Sequence, residues 1–278
     1  MSTDFDPVDT IRLTGTMMMA RGGWASVLMT DIKIGVLLCT RLRLPHPVAF
    51  DSCDVARASW AFPVAGAVVG GAGAIVYVTA SAIQLPSTLA AALALATTLL
   101  ITGCLHEDGL ADTADGFGGG SERARKLEIM RDSRLGTYGA CAIVMSLLLR
   151  WAALAAIAST VPVASSLVAT HAAARAALPP FMRFVPPARL DGLSAQAGQP
   201  PLRSAAIAVL LGTLTMVVAL GPPAAAIAIV LAASAGLFVA WLSMRQIGGQ
   251  TGDVLGALEQ IVEAIVLLTA LAMPGPRL

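Results

Sequence analysis

The residues best placed to do chemistry form one stretch, His106-Glu107-Asp108-Gly109-Leu110-Ala111-Asp112-Thr113-Ala114-Asp115-Gly116, an acidic knot in an apolar chain. Asp108, Asp112 and Asp115 stand at i, i+4 and i+7, so a helical backbone would set the three carboxylates on one face. Such a face repels itself unless a cation sits on it. Mg²⁺ takes oxygen ligands from a few carboxylates and keeps positions for water and a substrate phosphate. Phe117, Gly118, Gly119 and Gly120 follow, and glycines suit a tight backbone beside a ligand. A solvated acidic helix end has the same spacing, but this cluster directly follows an uncharged run, which counts against that reading.

A second polar stretch, Arg131-Asp132-Ser133-Arg134-Leu135-Gly136-Thr137-Tyr138-Gly139, supplies partners. Asp132 would complete a second metal site beside the acidic face, and two metals bridging a diphosphate would neutralise its oxygens and orient an in-line attack. Arg131 and Arg134 suit phosphate because guanidinium groups engage oxygens in bidentate fashion. Beside a membrane they suit lipid headgroups as well.

The elements that must position these residues follow from composition. Of 278 residues, 56% are hydrophobic and 13% charged, and mean hydropathy is +0.78; soluble domains carry roughly 25% charge. An all-α polytopic membrane protein is expected, with residues 1–25 a flexible extension and 26–278 a single integral membrane catalytic domain. Asp4, Asp6 and Asp9 precede any apolar run, the reverse of a signal peptide's basic start. Net charge of +1 gives no support for nucleic-acid binding. Cys39, Cys53, Cys104 and Cys141 show neither disulfide nor zinc spacing, and His46, His106 and His171 are scattered.

Ser26 to Thr40 is interrupted by Asp31 and Lys33 and reads as an interfacial or partly inserted helix. Asp51, Asp54 and Arg57 then mark a polar loop. Ala58 to Leu105 is uncharged and long enough for two spans of about 20 residues, turned by Gln84-Leu85-Pro86-Ser87. Ser121 is an N-cap candidate for a short helix from Glu122 to about Asp132. Further spans run from Ala140 to Thr160 and Ala164 to Met182, turned at Val161-Pro162. Ser204 to Met244 forms a hairpin about Gly221-Pro222-Pro223, and Val254 to Met273 is the last span. This predicts seven spans, three hairpins plus one. The three turns lack Lys and Arg while the long loops carry them, so the loops share a face that is cytoplasmic by the positive-inside rule. On that face the acidic knot, Arg131 to Gly139, Arg189 to Leu193 and Gly248 to Asp253 can meet. Arg150, Arg175, Glu259 and Glu263 lie inside apolar spans and are costly unless paired, so Arg175 or Arg150 is expected to pair with Glu263.

The acidic knot, Glu128-Ile129-Met130-Arg131 through Gly139, and Gly248-Gly249-Gln250-Thr251-Gly252-Asp253-Val254-Leu255-Gly256-Ala257 together resemble the cobalamin 5'-phosphate synthase family, also called adenosylcobinamide-GDP ribazoletransferase. The resemblance runs from about Asp31 to Leu271 and takes in Thr40-Arg41-Leu42, Phe62-Pro63-Val64-Ala65-Gly66, Arg175 and Asp191-Gly192-Leu193. It implies a multi-pass enzyme of the bacterial inner membrane with its active-site loops in the cytoplasm. That enzyme joins adenosylcobinamide-GDP to alpha-ribazole or its 5'-phosphate, needs Mg²⁺ and releases GMP. On this reading Asp108, Asp112 and Asp115 hold metal, with Asp132 as a further ligand, and Asp115, Asp132 or His106 takes the hydroxyl proton. Arg131 and Arg134 hold phosphates, while Arg41, Arg175 and Asp191 contact substrate and Asp253 contacts either the metal or the substrate ribose. The small-molecule substrates and the lipid bilayer are the expected partners, with homo-oligomers left open. The acidic motif also resembles that of CDP-alcohol phosphotransferases, although Asp112 stands where that family has an arginine. A cation-coupled transporter is the reading from outside the enzymes, motivated by the intramembrane charges.

Overall fold

The computed structural model describes residues 23–44 and 51–273, and every regular element among them is helical. The expected N-terminal extension lies outside the described residues except for its last positions, where α1 (Trp24–Cys39) begins. Asp31 on α1 is buried and takes bonds from Arg57 and from Trp60 Nε1 (2.9 Å), so the charge that interrupts this helix fastens it to its neighbour. The stretch expected as a polar loop is instead α2 (Ser52–Ala58), started by a reciprocal cap between Asp51 and Asp54. A 3₁₀ turn, Ser59–Ala61, leads from it into α3 (Phe62–Ala82).

α4 (Ser87–Thr102) returns along α3, and α5 (Leu105–Gly119) holds the acidic motif. Between them Gly103 and Cys104 both adopt the left-handed conformation, and the two helices meet at 85°. The expected span to Leu105 therefore breaks, and the motif continues as helix. α6 (Arg123–Ile129) is short and starts from Glu122, not Ser121, with no side-chain cap. α7 (Thr137–Ile157) is one long helix. The turn after it falls at Ala158 and Ser159, before Val161, because Pro162 is tolerated in the first turn of α8 (Thr160–Ala176). Pro179 and Pro180 open a separate α9 (Leu178–Phe184), so the expected span from Ala164 to Met182 is divided. α10 (Leu193–Gln196), α11 (Leu202–Leu220), α12 (Pro222–Ile247) and α13 (Gly252–Ala272) complete the order.

Among the described residues five helical runs are long and apolar enough to cross a membrane: Ser52–Ala82, Thr137–Ile157, Leu202–Leu220, Pro222–Ile247 and Gly252–Ala272; α4 with α5 makes a sixth if that bent pair counts as one. This is the build of a membrane protein. α3 and α8 pack so closely that a Cβ on Gly66 or Gly70 would strike the α8 backbone. Of these five runs α13 is the most enclosed, packed against α5, α7, α8 and α12, whereas α7, α11 and α12 turn residues such as Leu148, Leu210, Val218, Leu237 and Phe238 outward.

Candidate active site

The acidic helix α5 is wedged between α13 and α7. Its approach to α13 depends on two facing glycines: a Cβ on Gly109 would come 2.9 Å from the Asp253 carbonyl, and one on Gly256 would come 3.1 Å from the Gly109 Cα. That contact brings the first turn of α13, with Asp253, against the middle of α5. Asp108 is exposed, Asp112 half-buried and Asp115 buried, so the shared face descends from solvent into protein. Asp112 lies in the field of Asp108, Asp253 and Asp115, against one guanidinium, Arg189.

Asp115 behaves differently from the other two. Its two oxygens accept the backbone N–H groups of Gly136 (2.7 Å) and Gly139 (2.8 Å), so it caps the start of α7. Asp132 is drawn to Arg134, whose Nη2 lies 2.6 Å away, and this hydrogen-bonded guanidinium holds its carboxyl down at about 2. Arg134 is exposed and Asp132 half-buried. Arg131 pairs with Asp191 across the surface. Arg125, Arg131, Asp132 and Arg134 line a shallow polar cavity of about 330 Å³.

The loop before α10 is joined to the loop before α13. Ala188 N–H donates to the Gln250 carbonyl and Gln250 N–H to the Pro186 carbonyl, both at 2.8 Å, an isolated parallel bridge. Arg123 adds a bond to the Ala188 carbonyl at 2.8 Å, and Arg189 stands 3.5 Å from Asp253. The four polar segments therefore meet at one end of the bundle. Arg41 lies at the α4–α5 break: its backbone N–H bonds the Ile101 carbonyl at 2.7 Å, and its side chain fills the space that a Cβ on Gly103 would need.

Beneath the acidic face lies a buried ionic network. Arg150 bonds Glu263 at 2.6 Å and Glu107 at 2.9 Å. Arg175 pairs with Glu259 and with Glu263, the latter at 3.0 Å, and His171 pairs with Glu263. Gln260 bridges Glu107 and Glu259 at 3.0 Å each, and His106 turns into this network, 3.4 Å from Arg175. Both pairings expected for Glu263 are present. Among the described residues His171, Glu259 and Glu263 alone bring ligand atoms within 4.8 Å of one another, but two guanidinium groups already answer their charge. Arg175 is thus enclosed in this network, away from the open face where a substrate contact was expected.

Neither Asp108, Asp112 and Asp115 nor Asp108, Asp112 and Asp253 bring their carboxylates that close together. Asp108, Asp112 and Asp253 have the donor chemistry of a hard divalent cation site: carboxylate oxygens on two packed helices, in one another's field, with one guanidinium among them. Asp132, turned to Arg134, and Asp115, spent on α7, stand outside that set. Sequence reasoning gave no role to Glu107 or Arg189. Glu107 has a signal, since it is the one motif carboxylate off the i, i+4, i+7 face. Arg189 has a coarse one, since it opens the Arg189 to Leu193 segment expected on the same face, but its place beside Asp253 depends on the bridge between two distant loops.

The cobalamin-5-phosphate synthase family model matches residues 31–271. A Bradyrhizobium diazoefficiens protein named adenosylcobinamide-GDP ribazoletransferase is 57% identical over 244 residues, covering 88% of this chain and 94% of the relative. Proteins of the same name from Mesorhizobium japonicum and Azorhizobium caulinodans are 49% and 46% identical, covering 87% and 90% of this chain and 93% and 98% of theirs. No solved structure matches the chain.

Proposed function

Because this chain belongs to the cobalamin-5-phosphate synthase family and is a transferase of cobalamin synthesis, we propose that it transfers the adenosylcobinamide-phosphate group of adenosylcobinamide-GDP to alpha-ribazole or its 5'-phosphate. A ribose hydroxyl of the acceptor attacks the phosphorus next to the cobinamide aminopropanol, a new P–O bond forms, and the bond to the departing GMP breaks. Attack on a diphosphate depends on positioning and on neutralising charge. The observation that supports the reading is the close approach of α5 to α13 at Gly109 and Gly256, which puts Asp108 and Asp112 in the field of Asp253 at the open end of the bundle.

Mg²⁺ bound to these carboxylates would neutralise the diphosphate oxygens. Among the described residues Asp108 and Asp112 accept no backbone hydrogen bond, so one of them joins Asp253 at the metal and the other takes the hydroxyl proton; Asp115, Asp132 and His106 are otherwise engaged. Arg131 and Asp191, linked across the surface, form the rim that meets the bulky substrate, with Arg134 beside them. Counting α4 with α5, and α8 with α9, each as one broken crossing gives seven crossings. By the positive-inside rule the open end then faces the cytoplasm from the bacterial inner membrane.

The test is GMP release by protein in lipid from adenosylcobinamide-GDP, alpha-ribazole 5'-phosphate and Mg²⁺, for wild type and Asp108→Asn. Metal-dependent release lost in the variant is the expected result. No release from folded wild type would overturn it and direct the assay to CDP-alcohol substrates, then to transport in sealed vesicles.

A further inference from the structure

Arg189 is the guanidinium set against Asp112 and Asp253, and it is poorly satisfied there. Its side chain is 18% exposed and lies 3.5 Å from Asp253, beyond good bonding geometry. Nη1 is buried and, among the described residues, has no hydrogen-bond partner. A buried guanidinium N–H without an acceptor carries a desolvation cost that an incoming anion would relieve. The group is held in place from several sides. Its own loop is stapled to Gln250, and Gly192 closes over it, where a Cβ would come 3.3 Å from Nε. Arg131 and Arg134, by contrast, already have carboxylate partners.

We propose that Arg189 is a diphosphate-binding residue of this site, which exchanges its loose contact with Asp253 for phosphate oxygens and so releases Asp253 to the cation side of the acidic face. The proposal rests on the transferase reading for the identity of the diphosphate, but its chemistry needs only a pyrophosphate-like anion. A guanidinium suits that anion because its donors match two oxygens at once. The exchange also explains why Asp253 is a weak partner here: a tight pair would have to be broken each turnover.

The experiment measures inorganic pyrophosphate binding to the full chain in lipid nanodiscs by calorimetry, first without divalent metal. Arg189→Gln should weaken binding about tenfold or more, the scale of one lost charge-assisted bond, and Arg189→Lys should fall between. Arg245→Gln removes a charge that sits against Trp241 and should leave the affinity unchanged. Asp253→Asn should tighten binding several-fold by freeing the guanidinium, and that gain should vanish in Arg189→Gln/Asp253→Asn. Wild-type affinity in Arg189→Gln, or an equal gain with and without Arg189, overturns the proposal. If Arg189→Gln does not fold, absence of tightening in Asp253→Asn overturns it. GMP release together with unchanged pyrophosphate affinity in Arg189→Gln removes this inference alone. The full binding pattern without GMP release removes the transferase reading and leaves the anion site standing.

Discussion

At the scale of single residues, three aspartates with one spacing have three fates. Asp115→Asn keeps one acceptor oxygen where two backbone N–H groups need them, so it should lower thermal stability by about 1–3 kcal/mol. Asp108→Asn, at an exposed position, should leave the melting temperature of the purified protein unchanged while GMP release is lost. Equal destabilisation of the two variants would mean that Asp115 does no special work at the start of α7. Glu263 answers both buried arginines, and Glu263→Gln should cost about 3–5 kcal/mol because it strands charge in the interior. A melt within experimental error of wild type would show that Glu107 and Glu259 suffice. The Asp132 carboxyl, lowered to about 2 by Arg134, contributes its pairing above the ordinary value near 3.9 and loses it only as pH falls through about 2. Arg134→Gln should therefore keep the wild-type shape of the activity profile between about pH 6 and 9. A shifted limb in that range would show that Asp132 titrates during turnover.

At the scale of elements, the site depends on how near α5 can come to α13. Gly109→Leu should force the helices apart, since its Cβ alone would already crowd Asp253. Mg²⁺ affinity should then fall together with activity; an unchanged affinity would separate metal binding from the Asp253 contact. Much at this scale is readable from residue order. Apolar runs marked α3, α4, α7, α11, α12 and α13, and Gly221-Pro222 marked a turn, because apolar length and proline act locally. The breaks were not readable. Cys104 is left-handed although nothing in its side chain calls for it, and Asp51 to Arg57 look like solvated loop residues until Asp54 is seen capping α2 and Arg57 meeting Asp31. The same limit applies to the site. The i, i+4, i+7 spacing revealed the acidic face, but that Asp115 would turn to a backbone and Asp132 to a neighbouring arginine depends on contacts 21 and 2 residues away that spacing does not encode.

At the scale of the whole molecule, polar chemistry gathers at one end and is insulated beneath by paired charge. Single cysteines placed by Ser121→Cys and Gln199→Cys in a background without the native thiols should react with an impermeant reagent from the cytoplasmic side. Gln84→Cys and Gly221→Cys should react from the other side. The reverse pattern would overturn the orientation. The buried network also bears on how the chain is made. Glu107, Arg150, Arg175, Glu259 and Glu263 are contributed by α5, α7, α8 and α13, so the first carboxylate leaves the ribosome some 150 residues before its last partner, Gln260. Until α13 arrives, Arg150 and Arg175 have no Glu263 to meet, and early helices with unpaired charge are poor candidates for release into lipid. Assembly must therefore finish from the C-terminal end. A nascent chain stopped before Glu259 should stay extractable from the bilayer and open to proteolysis, whereas one reaching Ala272 closes the bundle in a single late step.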